Sequence, residues 1–101
     1  MDTVFLPAAR RDFDQASDWY DERLTGLGSK FEDRVNETLR LITAHPGAFS
    51  YVYKNVRSAV VRQFPYAVYY LTANKRIVVV AVFHASRDPD VWKTRIDDES
   101  S

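Results

Sequence analysis

The spacing of apolar residues makes its main change of period near Gly47, and that change constrains the fold more than any other feature. Before it, Ala9, Phe13, Ala16, Tyr20 and Leu24 fall on one face of a helix across 8–24. Phe31, Val35, Leu39 and Ile42 form a second such stripe, and each recurrence at three or four residues is the helical period. After it come Tyr51 to Arg57, Ala59 to Phe64, Tyr66 to Leu71 and Arg76 to Phe83, runs rich in Val, Tyr, Phe and Ile. Such residues fit a pleated, half-buried surface and predict strands. Helices first and strands second define an α+β chain, not an alternating α/β one.

The punctuation agrees with this order. Val4 to Leu6 predicts a short edge or opening strand, and Pro7 then suits the first turn of a helix, where a missing N–H costs nothing. Gly26 and Gly28 end the first helix, Ser29 with Glu32 has the form of a capping box for the second, and His45-Pro46-Gly47 closes it. Ala73-Asn74-Lys75 predicts a tight turn between the last two strands, and Pro65 falls between strands. Ile77 to Phe83, apolar on both faces, predicts a central strand. Asp88-Pro89 then caps a closing helix over Pro89 to Ile96. The expected architecture is two-layered: an N-terminal strand and an α-helical hairpin packed on an antiparallel β-sheet, with a short C-terminal helix.

At 101 residues the chain has the length of one domain, 1–101, with a frayed tail expected at 97–101, where Asp-Asp-Glu-Ser-Ser ends in solvent. Hydrophobic residues make up 46% and charged residues 28%, the composition of a packed fold rather than a disordered one. Without cysteine there is no disulfide framework and no thiolate zinc site. The start Met1-Asp2-Thr3-Val4 has no basic region leading into an apolar one, and no apolar run is long enough to cross a bilayer. A cytoplasmic location is expected. A formal net charge of +0 argues against broad capture of nucleic acid, yet Arg57, Arg62, Lys75, Arg76, Arg87, Lys93 and Arg95 all lie in the second half, so a locally basic face is open to it.

Chemistry-bearing patterns are few. The two histidines, His45 and His84, have no carboxylate at metal-site spacing, and no Gly-rich phosphate loop or nucleophile elbow is present; no metal and no cofactor are expected. His84, Ser86 and Arg87 stand where the central strand ends. Either His84 caps the sheet and Arg87 pairs with Asp88 or Asp90, or the two hold an anionic partner together. Arg62, read as lying on a strand in phase with Val60, stands beside Phe64-Pro65-Tyr66, a mixture of cation and aromatic suited to bases and phosphates. Tyr66, Val68 and Tyr70 share a strand face toward the hairpin, whereas Tyr69 and Trp92 suit packing and partner contact equally. Of Trp19 and Tyr20, the helical period turns one to the core.

Across residues 3 to 96 the chain resembles the RelE/ParE superfamily, the plasmid-stabilisation toxins of bacterial type II toxin–antitoxin systems. The resemblance rests on Arg62-Gln63-Phe64-Pro65-Tyr66-Ala67-Val68-Tyr69-Tyr70, on Ile77-Val78-Val79-Val80-Ala81-Val82-Phe83-His84, on Arg87-Asp88-Pro89-Asp90-Val91-Trp92, on Ala16 to Tyr20, on Phe31 and on His45-Pro46. It implies the same hairpin-on-sheet fold, a cognate antitoxin as partner in a hetero-oligomer, and one of two targets.

RelE-like members cleave messenger RNA on the ribosome without metal; ParE-like members poison DNA gyrase. Here Ser58-Ala59-Val60-Val61 occupies the strand that is basic in the RelE type, Ala67 stands where an arginine would match it, and Trp92 replaces a tyrosine. The resemblance therefore favours a ParE-like gyrase inhibitor, and leaves open whether the chain is an enzyme at all. Arg62, Tyr66, Tyr69, His84, Arg87, Trp92, Lys93 and Arg95 are its candidate target- or partner-binding residues. The alternatives are a ribosome-dependent endoribonuclease using His84, Arg62 and Arg87, and a binding domain that keeps the fold without toxicity.

Overall fold

The computed structural model describes residues 1–99. Its elements run β1 (Asp2–Phe5), α1 (Pro7–Arg23), α2 (Leu27–Ala44), β2 (Tyr51–Tyr53), β3 (Val56–Val60), β4 (Tyr66–Ala73), β5 (Arg76–His84) and α3 (Asp90–Glu99). The strands make one sheet in the order β1-β5-β4-β3-β2, antiparallel except for β1, which joins β5 in parallel. This is the α+β arrangement that the change of period predicts.

The hairpin forms for the reasons its sequence gives, with one exception. Pro7 opens α1, and Ala9, Phe13 and Ala16 bury the stripe against Phe31, Val35 and Ile42 of α2. The capping box at Ser29 and Glu32 is not formed. Gly26 instead takes the left-handed conformation at φ 93° and starts α2 at Leu27, three residues earlier in the turn than a cap at Ser29 would require. Asp21 Oδ1 accepts from the Gly26 and Gly28 amides at 2.9 and 3.2 Å, so a side chain of the first helix supplies what the cap would have. Glu32 accepts from the Ser17 hydroxyl across the hairpin.

Strand boundaries also differ from expectation: β1 starts at Asp2 and ends at Phe5 rather than spanning Val4 to Leu6, β4 runs on past Leu71 to Ala73, and two runs are cut by turns. The run Tyr51 to Arg57 is divided by a turn in which Lys54 has φ 49°, giving β2 and the start of β3. The run Ala59 to Phe64 stops at Val60, and Arg62 sits in the loop before β4, where Gln63 has φ 71°. Backbones in the left-handed region cannot continue a strand, whatever the side chains prefer. The Asn74-Lys75 turn is as expected, with φ of 53° and 61°, both left-handed as a two-residue hairpin of this hand demands.

The sheet is covered on both faces. Val68, Tyr70, Ile77, Val79 and Val82 face the hairpin, while Val56, Val80, Ala81 and Phe83 meet Trp92 and Ile96 of α3 on the other side. Alternation along β5 is interrupted because Tyr69 pairs with Ala81 and Tyr70 with Val79, leaving Val80 as an extra residue. That bulge turns both Val80 and Ala81 toward α3 and returns Val82 to the hairpin. Asp88 caps the closing helix through the Asp90 amide at 2.9 Å. The helix reaches Glu99, beyond the expected Ile96, and within the expected tail Asp97 accepts from Tyr53 and Lys54; residues 100–101 lie outside the described residues.

Candidate functional site

A cleft of about 320 Å³ opens between α1 and the C-terminal half of β5. Helix α1 lines it with Asp12, Gln15, Trp19 and Tyr20, and the sheet side supplies Tyr66, His84 and Arg87. Its position follows from strand lengths. β1 ends at Phe5, opposite Val79, and the Leu6 amide makes the last bond to the Val79 carbonyl, 2.9 Å. β5 runs on to His84, so its next edge groups have no strand beside them.

Asp12 and Arg95 take that place. Asp12 Oδ2 accepts from the Val82 amide at 3.1 Å, and the Arg95 guanidinium donates to the Val80 carbonyl at 2.9 Å. The two side chains join through Nη1 to Oδ2 at 2.7 Å and Nη2 to Oδ1 at 3.0 Å, a bidentate pair that replaces a missing strand. Asp12 also lies 3.9 Å from Arg87 Nη1.

Aromatic rings make the cleft wall. Tyr20 stands edge-on to Trp19, Phe64 and Tyr66, at centroid distances of 5.1, 4.9 and 6.0 Å. Burial pushes the Tyr66 phenol above its ordinary value, assisted by the neighbouring Tyr20 and opposed by Arg87; burial raises Tyr20 as well. Both phenols are therefore hydrogen-bond donors at neutral pH. His84 Nδ1 accepts from the Ser86 amide at 3.0 Å and lies 2.8 Å from the Ser86 hydroxyl. Arg87, 47% exposed, rests on the Phe83 ring with 4.0 Å to the centroid, turned to Asp12 and not to the expected Asp88 or Asp90. Proton donors and a cation thus face an aromatic hollow, a combination suited to recognising an anion beside an apolar group.

Of the candidate target- or partner-binding residues, Tyr66, His84 and Arg87 come together here. The others are placed elsewhere. Arg62 is gripped by Glu37 of α2, Nε to Oε1 at 2.9 Å and Nη2 to Oε2 at 3.0 Å, and that hydrogen bonding lowers the Glu37 pKa. Trp92 is 1% exposed and stacks on Tyr69 at 4.6 Å, which makes both part of the packing under α3. Lys93 lies 5.1 Å over the Tyr53 ring, and Arg95 is committed to Asp12. Among the described residues no cluster of His, Cys, Asp or Glu is arranged as metal ligands, and no helix is long and apolar enough to cross a membrane.

The polar cleft residues that the sequence did not mark as candidates, Asp12 and Gln15, are on α1. One signal was available for Asp12: it sits on the apolar stripe between Ala9 and Ala16, where an acid has to find a partner. Gln15 carries no such mark. Trp19, expected to be either core or surface, is 47% exposed and lines the cleft, while Tyr20 turns inward.

Hairpin on sheet with a donor-lined cleft at the C-terminal end of β5 defines a small two-layer α+β domain. The family model described as "ParE toxin of type II toxin-antitoxin system, parDE" matches residues 4–89, and the chain belongs to that family. It is a toxin component of the ParE type. Among solved structures, a chain described as "Chromosomal ParDE TA system from P. aeruginosa" shares the fold with a TM-score of 0.73 and 18% identity, over 83% of this chain and 95% of that one. None of the curated proteins matches.

Proposed function

We propose that this chain, acting as one toxin domain over 1–101, binds and inhibits DNA gyrase in the cytoplasm, and that a cognate antitoxin silences it by covering the cleft at Arg87. The observation that carries the reading is a cleft rich in donors in which Asp12 and His84 Nδ1 are both already engaged. Asp12 is saturated by Arg95 and Val82, the Tyr20 and Tyr66 phenols stay protonated, and His84 Nδ1 is occupied by Ser86. Metal-free cleavage of RNA requires a group that takes the 2′-hydroxyl proton. The cations of the ribonuclease reading are also divided, with Arg62 held by Glu37 away from His84 and Arg87. Binding a protein needs neither.

Purified chain is added to gyrase in a supercoiling assay, and separately to translating ribosomes. Inhibited supercoiling with intact messenger RNA is the expected result; cleaved message with active gyrase would establish the ribonuclease alternative. In cells, induction without antitoxin is expected to switch on a DNA-damage reporter before protein synthesis falls. Harmless overexpression of folded chain would leave only the third reading, a non-toxic binding domain.

A further inference from the structure

Arg95 and Arg87 compete for one carboxylate. Asp12 is 7% exposed, and its two oxygens receive the Arg95 fork at 2.7 and 3.0 Å together with the Val82 amide at 3.1 Å. Arg87 stands at 3.9 Å, inside ion-pair range and outside hydrogen-bond range. One carboxylate and two guanidiniums leave a surplus of one positive charge, and the geometry puts that surplus on Arg87, the more exposed of the two at 47% against 16%.

We propose that Arg95 is a positioning residue for the cleft: by occupying Asp12 it keeps the Arg87 guanidinium available to a carboxylate on a protein partner. The proposal rests on the reading of Arg87 as a partner contact. Without Arg95, the nearest cation to the buried Asp12 is Arg87, and a carboxylate with little water around it takes the nearest guanidinium. Arg87 then leaves the Phe83 ring, pairs bidentately, and the cleft loses its charge. Because Arg95 is brought by α3, whose Trp92 and Ile96 are buried in the second core, docking of the last helix sets the electrostatics of a cleft built by the first.

Among the described residues that line the cleft Arg87 is the one cation, with Arg23 lying over the Trp19 ring at 3.3 Å to its centroid, and a lone guanidinium beside Trp19 and Tyr20 suits one acidic side chain flanked by an apolar one. A nucleic-acid backbone would call for several cations in a row.

The test compares wild type, R95M, D12N and D12N/R95M in two readouts. Labelling by phenylglyoxal, located by mass spectrometry, reports whether the Arg87 guanidinium is free; the DNA-damage reporter in cells reports toxicity. In R95M both Arg87 labelling and toxicity are expected to fall about tenfold, the size of one charge-assisted bond. In D12N/R95M, with no carboxylate left to capture Arg87, both are expected to return toward wild type; since this variant also regains stability, the discriminating reading is the lowered Arg87 labelling of folded R95M, because a purely structural loss would expose Arg87 and raise it.

Unchanged labelling in R95M overturns the proposal, and so does a double variant that stays folded yet remains impaired. If R95M fails to fold, D12N decides: labelling of Arg87 rises, or the proposal is wrong. Labelling that follows the pattern while toxicity does not would count against Arg87 as a partner contact and leave the competition for Asp12 standing. Protection of Arg87 by added oligonucleotide, with none by an acidic peptide, would overturn the assignment of a carboxylate partner.

Discussion

Asp12 on the first helix and Arg95 on the last, 83 positions apart, close the open edge of β5 by bonding to each other and to the Val82 amide and Val80 carbonyl. The pair therefore holds the two faces of the sheet together at the one place where β1 is too short to do so.

Removing one member should cost far more than removing both. D12A leaves a mostly buried guanidinium and the Val82 amide without their acceptor, and is expected to lower unfolding stability by about 3–5 kcal/mol. D12N/R95M removes both charges and keeps the volume, and is expected to stay within about 1 kcal/mol of wild type. Urea denaturation of the two variants checks the asymmetry.

Gly28 of α2 lies against Ser17 and Asp21 of α1. A Cβ there would meet the Ser17 carbonyl oxygen at 2.5 Å, and backbone cannot step aside as a flexible side chain can. G28A is expected to destabilise by about 1–3 kcal/mol through overpacking. The same change at Gly47, with nothing within 4 Å of its Cβ, should be nearly silent in the same thermal melts.

Trp92 anchors α3 to the sheet by its stack on Tyr69. W92A is expected to cost about 3–5 kcal/mol as a cavity in a filled core. W92F should cost less, since it keeps an aromatic ring and deletes a buried indole N–H that has no partner among the described residues. Denaturant midpoints of the two variants give the comparison.

Burial holds the Tyr20, Tyr66, Tyr69 and Tyr70 phenols above their ordinary value of 10.0. A group whose folded pKa is raised contributes stability that is complete below the unfolded pKa and lost as pH rises through the folded one. Stability should thus be insensitive to these groups up to about pH 10 and fall above it, as the unfolded chain ionises first. In a Y51F/Y53F variant, which leaves these four of the six tyrosines, an alkaline titration followed by phenolate absorbance and by circular dichroism together should show ionisation delayed until the fold begins to open; phenolate appearing at the ordinary value in intact protein would refute it.

Arg62 and Arg87 should behave oppositely. With Arg62 tied to Glu37 outside the cleft, R62Q is expected to leave the proposed gyrase inhibition at the wild-type level. R87Q, which removes the cation of the cleft, is expected to weaken it at least about tenfold, as loss of an arginine anchor does. The gyrase assay measures both.

Much of this was written in local patterns. The stripe of Ala9, Phe13 and Ala16 and that of Phe31, Val35 and Ile42 set both helices, Asn74-Lys75 set the turn, and the apolar run of β5 set an interior strand covered on both faces. These depend on residue spacing and on backbone preferences that each residue carries with it. Tyr66, His84 and Arg87 were legible as site candidates because they cluster around the ends of two strands that pair. What the tertiary structure alone decided is which charges meet. Asp12 finds Arg95, Glu37 finds Arg62, and the bulge at Val80 turns part of β5 to α3, because each depends on where separate elements are brought by packing. An ion pair leaves no periodic trace in a sequence; its energy is set by distance and by water excluded around it, and both exist only once the chain has folded.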